Sequence, residues 1–496
     1  MKTKRFLLAL VSVLTAAVSF AADNDNEQEL TLTLWQSPDK PAVLTAPSHR
    51  IPALVRCGDG SLLAVADYRL HLSDIGGKGG GMTSQIELRY RRSNDGGLTW
   101  TEQATVCERN TISQNSWKWA MGDASLVADR ESGNVLMMCA AGSVGMGAST
   151  AANPIKIGCF RSTDYGQTWD EGTEITSQIY GLYEGDATAI FITSGSLCQS
   201  KQIKIGDYYR IYAAYPVRTK TNGNGTGVIY SDDFGQTWTI LGDKTFAEGL
   251  VYEEGKVAEL PDGSVALMVR DDSGAPSVEK GKKNFCRYIY NNVETGEGQW
   301  TTAVSGITGM ANACNNTLLI VPAMRTADNK EVSLALVALP FHTNNARDAV
   351  NNYGRKDVGF VYKEIDGEDD YADGQALAQN WKKGMQVTDK FSAYTDLLAM
   401  ENQQVALLAE DNGKQGRSLD GNNECEAYDI IFRTLNLSTI TNGEYTAIPA
   451  EEPDGISEAE QPDTAIATST CYDISGRMAT SNTWILIANG KKTIRK

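Results

Sequence analysis

Apolar and polar positions alternate along this chain with the period of a β-strand. Ile86-Glu87-Leu88-Arg89-Tyr90 switches between the two classes residue by residue, as a half-buried strand does. Short continuous apolar runs, Leu62–Ala66, Val135–Cys139, Val265–Val269 and Val405–Leu408, predict strands covered on both faces. Turn signals punctuate them at Asp59-Gly60, Ser132-Gly133 and Pro261-Asp262-Gly263. No long amphipathic helical stretch interrupts the pattern, so the predicted class is all-β.

A turn motif, Ser-x-Asp-x-Gly-x-Thr-Trp, recurs at fixed spacing. Its copies begin at Ser93, Ser162 and Ser231 and end at Trp100, Trp169 and Trp238, 69 residues apart each time. Weaker echoes end at Trp300 and Trp381. The Asp and Ser side chains bond nearby backbone N–H groups, Gly supplies a positive φ, and Trp folds back as an apolar plug. The motif is turn architecture and carries no chemistry. A repeat of about 60–80 residues holds about four strands, the content of one propeller blade, and residues 23–445 accommodate six such four-stranded antiparallel blades.

The termini read differently. Lys2, Lys4 and Arg5 precede an apolar run from Phe6 to Ala22 that ends in small residues, the pattern of a secretory signal peptide over 1–22, with a membrane anchor as the alternative. Export to the periplasm, the outer membrane or the medium is expected, with no transmembrane segment once the signal is removed. Residues 446–470, acidic and without a basic residue from Ala450 on, predict a solvated linker, followed by a short segment over 471–496. The whole chain has 496 residues and a net charge of −17, or −20 without residues 1–22, which disfavours nucleic acid and anionic membrane as partners. Nine cysteines leave at least one unpaired, and neither they nor His49, His71 and His342 show the spacing of a transition-metal site, so no metal or other cofactor is expected.

The repeated boxes resemble those of the bacterial sialidase (neuraminidase) family, and so does Arg50-Ile51-Pro52 upstream of the first box. The resemblance spans residues 45–415. Matched segment by segment, EGKVAELPDGSVALMVRDD is similar to the family's stretch with a glutamate and the second pocket arginine, giving Glu254 and Arg270. NNYGRKDVGF resembles the segment with the third arginine, Arg355, with Arg347 and Arg325 nearby in sequence. FSAYTDL supplies Tyr394, VALLAEDNG supplies Glu410 as a brace for Arg50, and ADYRLHLSDIGG supplies Asp74 with Arg69 beside it. Asp123 resembles a pocket-lining position. The tail resembles the secretion-associated C-terminal segments of Bacteroidetes exported proteins.

The resemblance implies a retaining exo-α-sialidase acting on sialylated glycoproteins, glycolipids and oligosaccharides, and the residue types suit that chemistry. A sialic acid carries a carboxylate on its anomeric carbon, which three guanidiniums can hold through charge-assisted hydrogen bonds. A carboxylate nucleophile would meet like-charge repulsion there, whereas a phenol is neutral. The family uses a tyrosine in this role, which nominates Tyr394 with Glu254 as its base and Asp74 as acid/base. Two alternatives keep the same motifs: a trans-sialidase, intramolecular or otherwise, and a non-catalytic glycan-binding propeller. Gly76–Gly81 is expected to be a flexible lid beside Asp74, and Trp117 and Trp119 to pack in a blade core rather than stack on a sugar.

Overall fold

A computed structural model describes residues 28–39, 47–70, 74–76, 85–271, 282–307, 314–341, 355–417, 423–449, 484–488 and 491–495. The expected signal peptide, nearly all of the expected lid, most of the acidic linker and Arg347 lie outside them. The chain divides into two compact units after Pro449. In the second, Trp484–Ala488 and Lys491–Arg495 form an antiparallel hairpin.

The first unit is all-β, and its α-helices among the described residues, Thr176–Gly181, Gly374–Ala378 and Leu437–Thr441, have five or six residues. Its strands form groups that follow the chain and are antiparallel, except that Gly195–Ser196 adds in parallel to the second group; this strand, and Tyr445–Thr446 added to the fifth, bring those groups to five strands instead of the expected four. The first contains Ser48–Arg56, Leu62–Arg69, Ile86–Ser93 and Ala104–Thr105. The second runs from Met121–Ala128 through Val135–Ala141 and Lys156–Ser162 to Thr173–Glu174. Tyr208–Thr219 and Asn224–Ser231 centre the third, Val265–Asp271 and Lys282–Asn292 the fourth, and Lys330–Pro340 and Val358–Ile365 the fifth. The sixth joins distant parts of the chain, because Leu30–Trp35 pairs with Asn423–Leu435, which pairs with Val405–Arg417 and through it with Thr395–Ala399. Among the described residues one ladder pair, His49 with Tyr428, joins the sixth group to the first as sheet.

The apolar runs read from the sequence are the buried strands of these groups, and each group shares a core with the next. Leu63 and Val65 pack with Leu126 and Met137, Leu136 with Ile211, Tyr212 with Leu267, Met268 with Val337, and Leu334 with Leu407. The sixth group returns to the first through Leu408 and Phe432 against Leu54 and Ala64.

The repeated motif forms the turn after the third strand of the first three groups. In the first copy Ser93 Oγ accepts the Gly97 N–H at 2.8 Å and donates to Asp95 Oδ1 at 2.8 Å, while Asp95 Oδ1 accepts the Thr99 N–H at 2.9 Å. The copies at Asp164 and Asp233 repeat this geometry. The echo at Trp300 lies in a hairpin strand, but Trp381 caps the helix Gly374–Ala378 by donating to the Leu377 carbonyl, so that echo is no box. It has neither the Ser nor the Asp that would close the turn.

Residues of different groups meet at a buried polar node. Asp396 is fully buried; its Oδ2 accepts the Leu54 N–H at 2.8 Å, and its Oδ1 accepts the hydroxyls of Ser196, at 2.8 Å, and Thr317. Buried Lys256 donates to the carbonyls of Ser194 and Ser196 beside it. Five of the groups contribute to this node.

Candidate active site

Tyr394 immediately precedes the strand Thr395–Ala399, and Glu254 precedes Gly255–Glu259, so both side chains leave the ends of strands in different groups. They meet: Tyr394 Oη donates to Glu254 Oε2 at 2.8 Å. Arg270, at the end of the strand paired with Gly255–Glu259, completes a triangle, its Nη1 donating to Glu254 Oε2 at 2.7 Å and to Tyr394 Oη at 3.1 Å. Tyr394 is 8% exposed and Glu254 6%. Burial, reinforced by the charge of Glu254, raises the Tyr394 phenol well above its ordinary value, so the hydroxyl is neutral in the free site.

Arg50 is held from beneath by Glu410. Its Nε donates to Glu410 Oε1 at 2.6 Å, and the backbone N–H groups of Ile51 and Tyr394 donate to the two carboxylate oxygens at 2.8 and 3.1 Å. Burial alone would raise the Glu410 carboxyl, but Arg50 and these N–H groups hold it below its ordinary value. One carboxylate thereby fixes both a candidate clamp arginine and the backbone of the candidate nucleophile. Ile51 adopts a positive φ of 56°, an unfavourable conformation for a β-branched residue that this bond helps to hold. Arg50 and Arg355 place their guanidinium carbons 5.5 and 5.3 Å from the Tyr394 ring centroid. Arg355 Nε is buried and makes no hydrogen bond within the described residues. Arg325, the sequence neighbour considered for this place, is committed elsewhere, bound to Glu364, Asp366 and Asp328.

A second cluster lies at the end of Leu62–Arg69. Arg69 donates through Nη1 to Asp74 Oδ1 at 2.7 Å and through Nε and Nη2 to Asp67 Oδ2 at 3.2 and 3.0 Å. Asp74 itself is 77% exposed, and the Arg69 guanidinium holds its carboxyl at about 2, helped by Arg50 and Arg355. Those two arginines acting on Asp74 place the second cluster within electrostatic reach of the first. Asp123, at φ +56°, donates its backbone N–H to Asp67 Oδ1 at 2.9 Å. Its own carboxyl is pushed well up by burial and by the charge of Asp67, and it also feels Glu254. The segment carrying Asp74 is docked without slack: a Cβ on Gly76 would lie 2.1 Å from the Gly145 nitrogen, and one on Gly145 would lie 2.2 Å from the Ile75 carbonyl oxygen.

All nine nominated side chains, Arg50, Arg69, Asp74, Asp123, Glu254, Arg270, Arg355, Tyr394 and Glu410, therefore fall in these two clusters. Trp119 is buried with Ile75, Ile86 and Ile155, and Trp117 tilts against Phe160, so both pack in the interior. The sequence reading missed Asp67, although its i, i+2 relation to Arg69 on one strand puts both on the same face. It also missed Cys314 and Tyr428, which surround Tyr394 from below, and Lys283, which donates to the Cys314 carbonyl and to Asn316. An apolar residue or a strand lysine carries no sequence signal for such a place. Among the described residues no group of His, Cys, Asp and Glu is arranged to hold a metal ion.

An all-β chain with repeated Asp turns and a cluster of arginine, tyrosine and carboxylate at converging strand ends defines the class. A family model described as "BNR repeat-like domain" matches residues 51–355. The chain belongs to the family of BNR repeat-like domain proteins, and the curated relatives it matches are named sialidases. It is 32% identical over 235 residues to a sialidase of Micromonospora viridifaciens, covering 46% of this chain and 33% of that protein. With a sialidase of Bacteroides fragilis it shares 27% over 247 residues, covering 46% and 40%. The matched part is thus less than half of either relative. Among solved structures, the Hadza microbial sialidase Hz136 shares the fold with a TM-score of 0.59 at 22% identity, over 83% of this chain and 69% of that one. The intramolecular trans-sialidase from Ruminococcus gnavus does so with a TM-score of 0.57 at 15% identity, over 83% and 98%.

Proposed function

We propose that the chain is an exported, retaining exo-α-sialidase that releases terminal sialic acids from glycoconjugates. The observation that carries this reading is the bond from Tyr394 Oη to Glu254 Oε2, 2.8 Å long, with Arg270 across it and Arg50 and Arg355 over the phenol ring. Arg50, Arg270 and Arg355 would bind the substrate carboxylate. Glu254 takes the phenol proton as Tyr394 Oη attacks the anomeric carbon, so charge on the oxygen develops only as the glycosidic bond breaks. Asp74 gives its proton to the leaving oxygen and then takes one from the attacking water, and this double displacement returns the starting configuration. The substrate carboxylate offsets the field that Arg50 and Arg355 exert on Asp74, which favours the protonated form needed for the first step.

The scaffold we propose is a six-bladed propeller, supported by cores shared between successive strand groups and again between the sixth and the first. Export rests on the charged and apolar N-terminal sequence.

The test is covalent trapping. A fluorinated sialosyl fluoride should inactivate the protein and leave one adduct on the peptide containing Tyr394, located by mass spectrometry. Tyr394→Phe should fold normally and lose about three or more orders of magnitude in kcat toward a natural α-sialoside. Near-normal turnover in that variant, or an adduct on another residue, would remove the assignment. Because a trans-sialidase shares the fold, product analysis completes the test: free sialic acid marks hydrolysis, an anhydro sugar or a new glycoside marks transfer.

A further inference from the structure

Asp67 is fully buried, yet no step above uses it. Its carboxylate is saturated by donors from two places. Oδ2 accepts both Nε and Nη2 of Arg69, at 3.2 and 3.0 Å, and Oδ1 accepts the backbone N–H of Asp123 at 2.9 Å. The remaining end of Arg69 holds Asp74 at 2.7 Å. Arg69 is itself 1% exposed, so its guanidinium has no room to seek solvent. Asp123 sits at φ +56°, a conformation that costs an aspartate energy and persists where a bond such as this one fixes it. Asp67 also lies across the strand pair from Arg50. Space around it is closed: a Cβ on Gly122 would lie 3.1 Å from Asp67 Oδ2.

We propose that Asp67 is a positioning residue for the acid/base step, fixing Arg69 so that Arg69 presents Asp74 to the leaving oxygen, and fixing Asp123 at the same time. The proposal rests on the sialidase reading and on the role given there to Asp74. The physical reason is donor counting. Three N–H groups converge on two oxygens that each bear partial negative charge, an arrangement only a carboxylate satisfies. An amide at this position keeps one acceptor and turns an NH2 toward the other donors, so either the Arg69 fork or the Asp123 bond is lost. Without the fork, Arg69 is a buried cation whose remaining counter-charge is Asp74, and the pair shifts inward, away from a bound glycoside.

The signature of such a residue is dependence on the leaving group. Asp74 matters when the departing alkoxide is basic, as in an alkyl-linked sialoside such as sialyllactose, and matters little when the leaving group is an acidic phenol, as in a 4-nitrophenyl sialoside. Asp67→Asn should therefore lower kcat on sialyllactose by about 10²-fold with little change in KM, but lower kcat/KM on the nitrophenyl sialoside, which reports the first displacement alone, by less than about fivefold. In an Asp74→Asn background it should cost nothing further, because the two residues act as one unit. Asp67→Glu, which restores the carboxylate in a closed space, should recover part of the sialyllactose rate.

Equal losses in kcat/KM on both substrates, or a loss that adds fully to that of Asp74→Asn, would mean that Asp67 merely supports the fold, and the proposal fails. If the unaltered protein hydrolyses neither substrate, the sialidase reading fails first. The acid/base role of Asp67 falls with it, and a crystal structure of Asp67→Asn then decides only whether Asp67 fixes the cluster: displacement of Arg69 or loss of the positive φ at Asp123 shows that it does, and an unchanged cluster overturns that as well.

Discussion

Single side chains in this protein do work that their sequence neighbourhood does not announce. Glu410 braces Arg50 and also receives the backbone N–H of Tyr394, so a substitution there would disturb the proposed clamp and the proposed nucleophile together. His49 is buried between Trp35 and Tyr68, and burial lowers its imidazole to about 4. Its unfolded value is near 6.5, so between about pH 6.5 and 4 the unfolded chain binds a proton that the native protein does not. Stability from this group is present above that window and is lost as the pH falls through it. His49→Phe should flatten the fall in Tm between pH 6.5 and 4, measured by calorimetry. At this scale the sequence was legible where a residue type is rare in its role: a tyrosine, a glutamate and three arginines in matching segments. It was silent on Asp67, because a strand aspartate two residues before an arginine reads equally well as a surface ion pair, and only its burial makes it a keystone for the cluster.

Elements show how a short motif fixes a turn. Gly97 has a φ of +95°, and a Cβ there would lie 2.3 Å from the Phe432 ring, which belongs to the last strand group. Gly96 next to it also has a positive φ, +68°, but nothing lies within 4 Å of its Cβ position. The two glycines therefore separate backbone strain from crowding. Gly97→Ala should destabilise the protein by about 2–4 kcal/mol and Gly96→Ala by about 1 kcal/mol, read from urea unfolding. The box spacing made these turns and their strands visible in the sequence, because each copy is local and carries its own hydrogen-bond partners. The partner of Gly97 was invisible, since Phe432 is more than three hundred residues away. The echo at Trp381 misled for a related reason: tryptophan spacing without the Ser and Asp has no turn to enforce.

For the whole molecule, the polar node at Asp396 connects residues of different strand groups. Asp396→Ala would leave the Leu54 N–H and the hydroxyls of Ser196 and Thr317 without their acceptor, and would remove the neighbouring negative charge from buried Lys256. A loss of about 3–5 kcal/mol is expected, with a single cooperative unfolding transition at lower denaturant. A change below about 1 kcal/mol would show that the node is incidental to cohesion.

The pairing of Leu30–Trp35 with Asn423–Leu435 has a temporal meaning. Arg50 follows the first of these strands and its brace, Glu410, lies in the strand beside the second, so the Arg50–Glu410 pair of the proposed clamp cannot form on a nascent chain that has not yet delivered the sixth strand group. Any shorter partial product therefore carries Arg50 without its counter-charge.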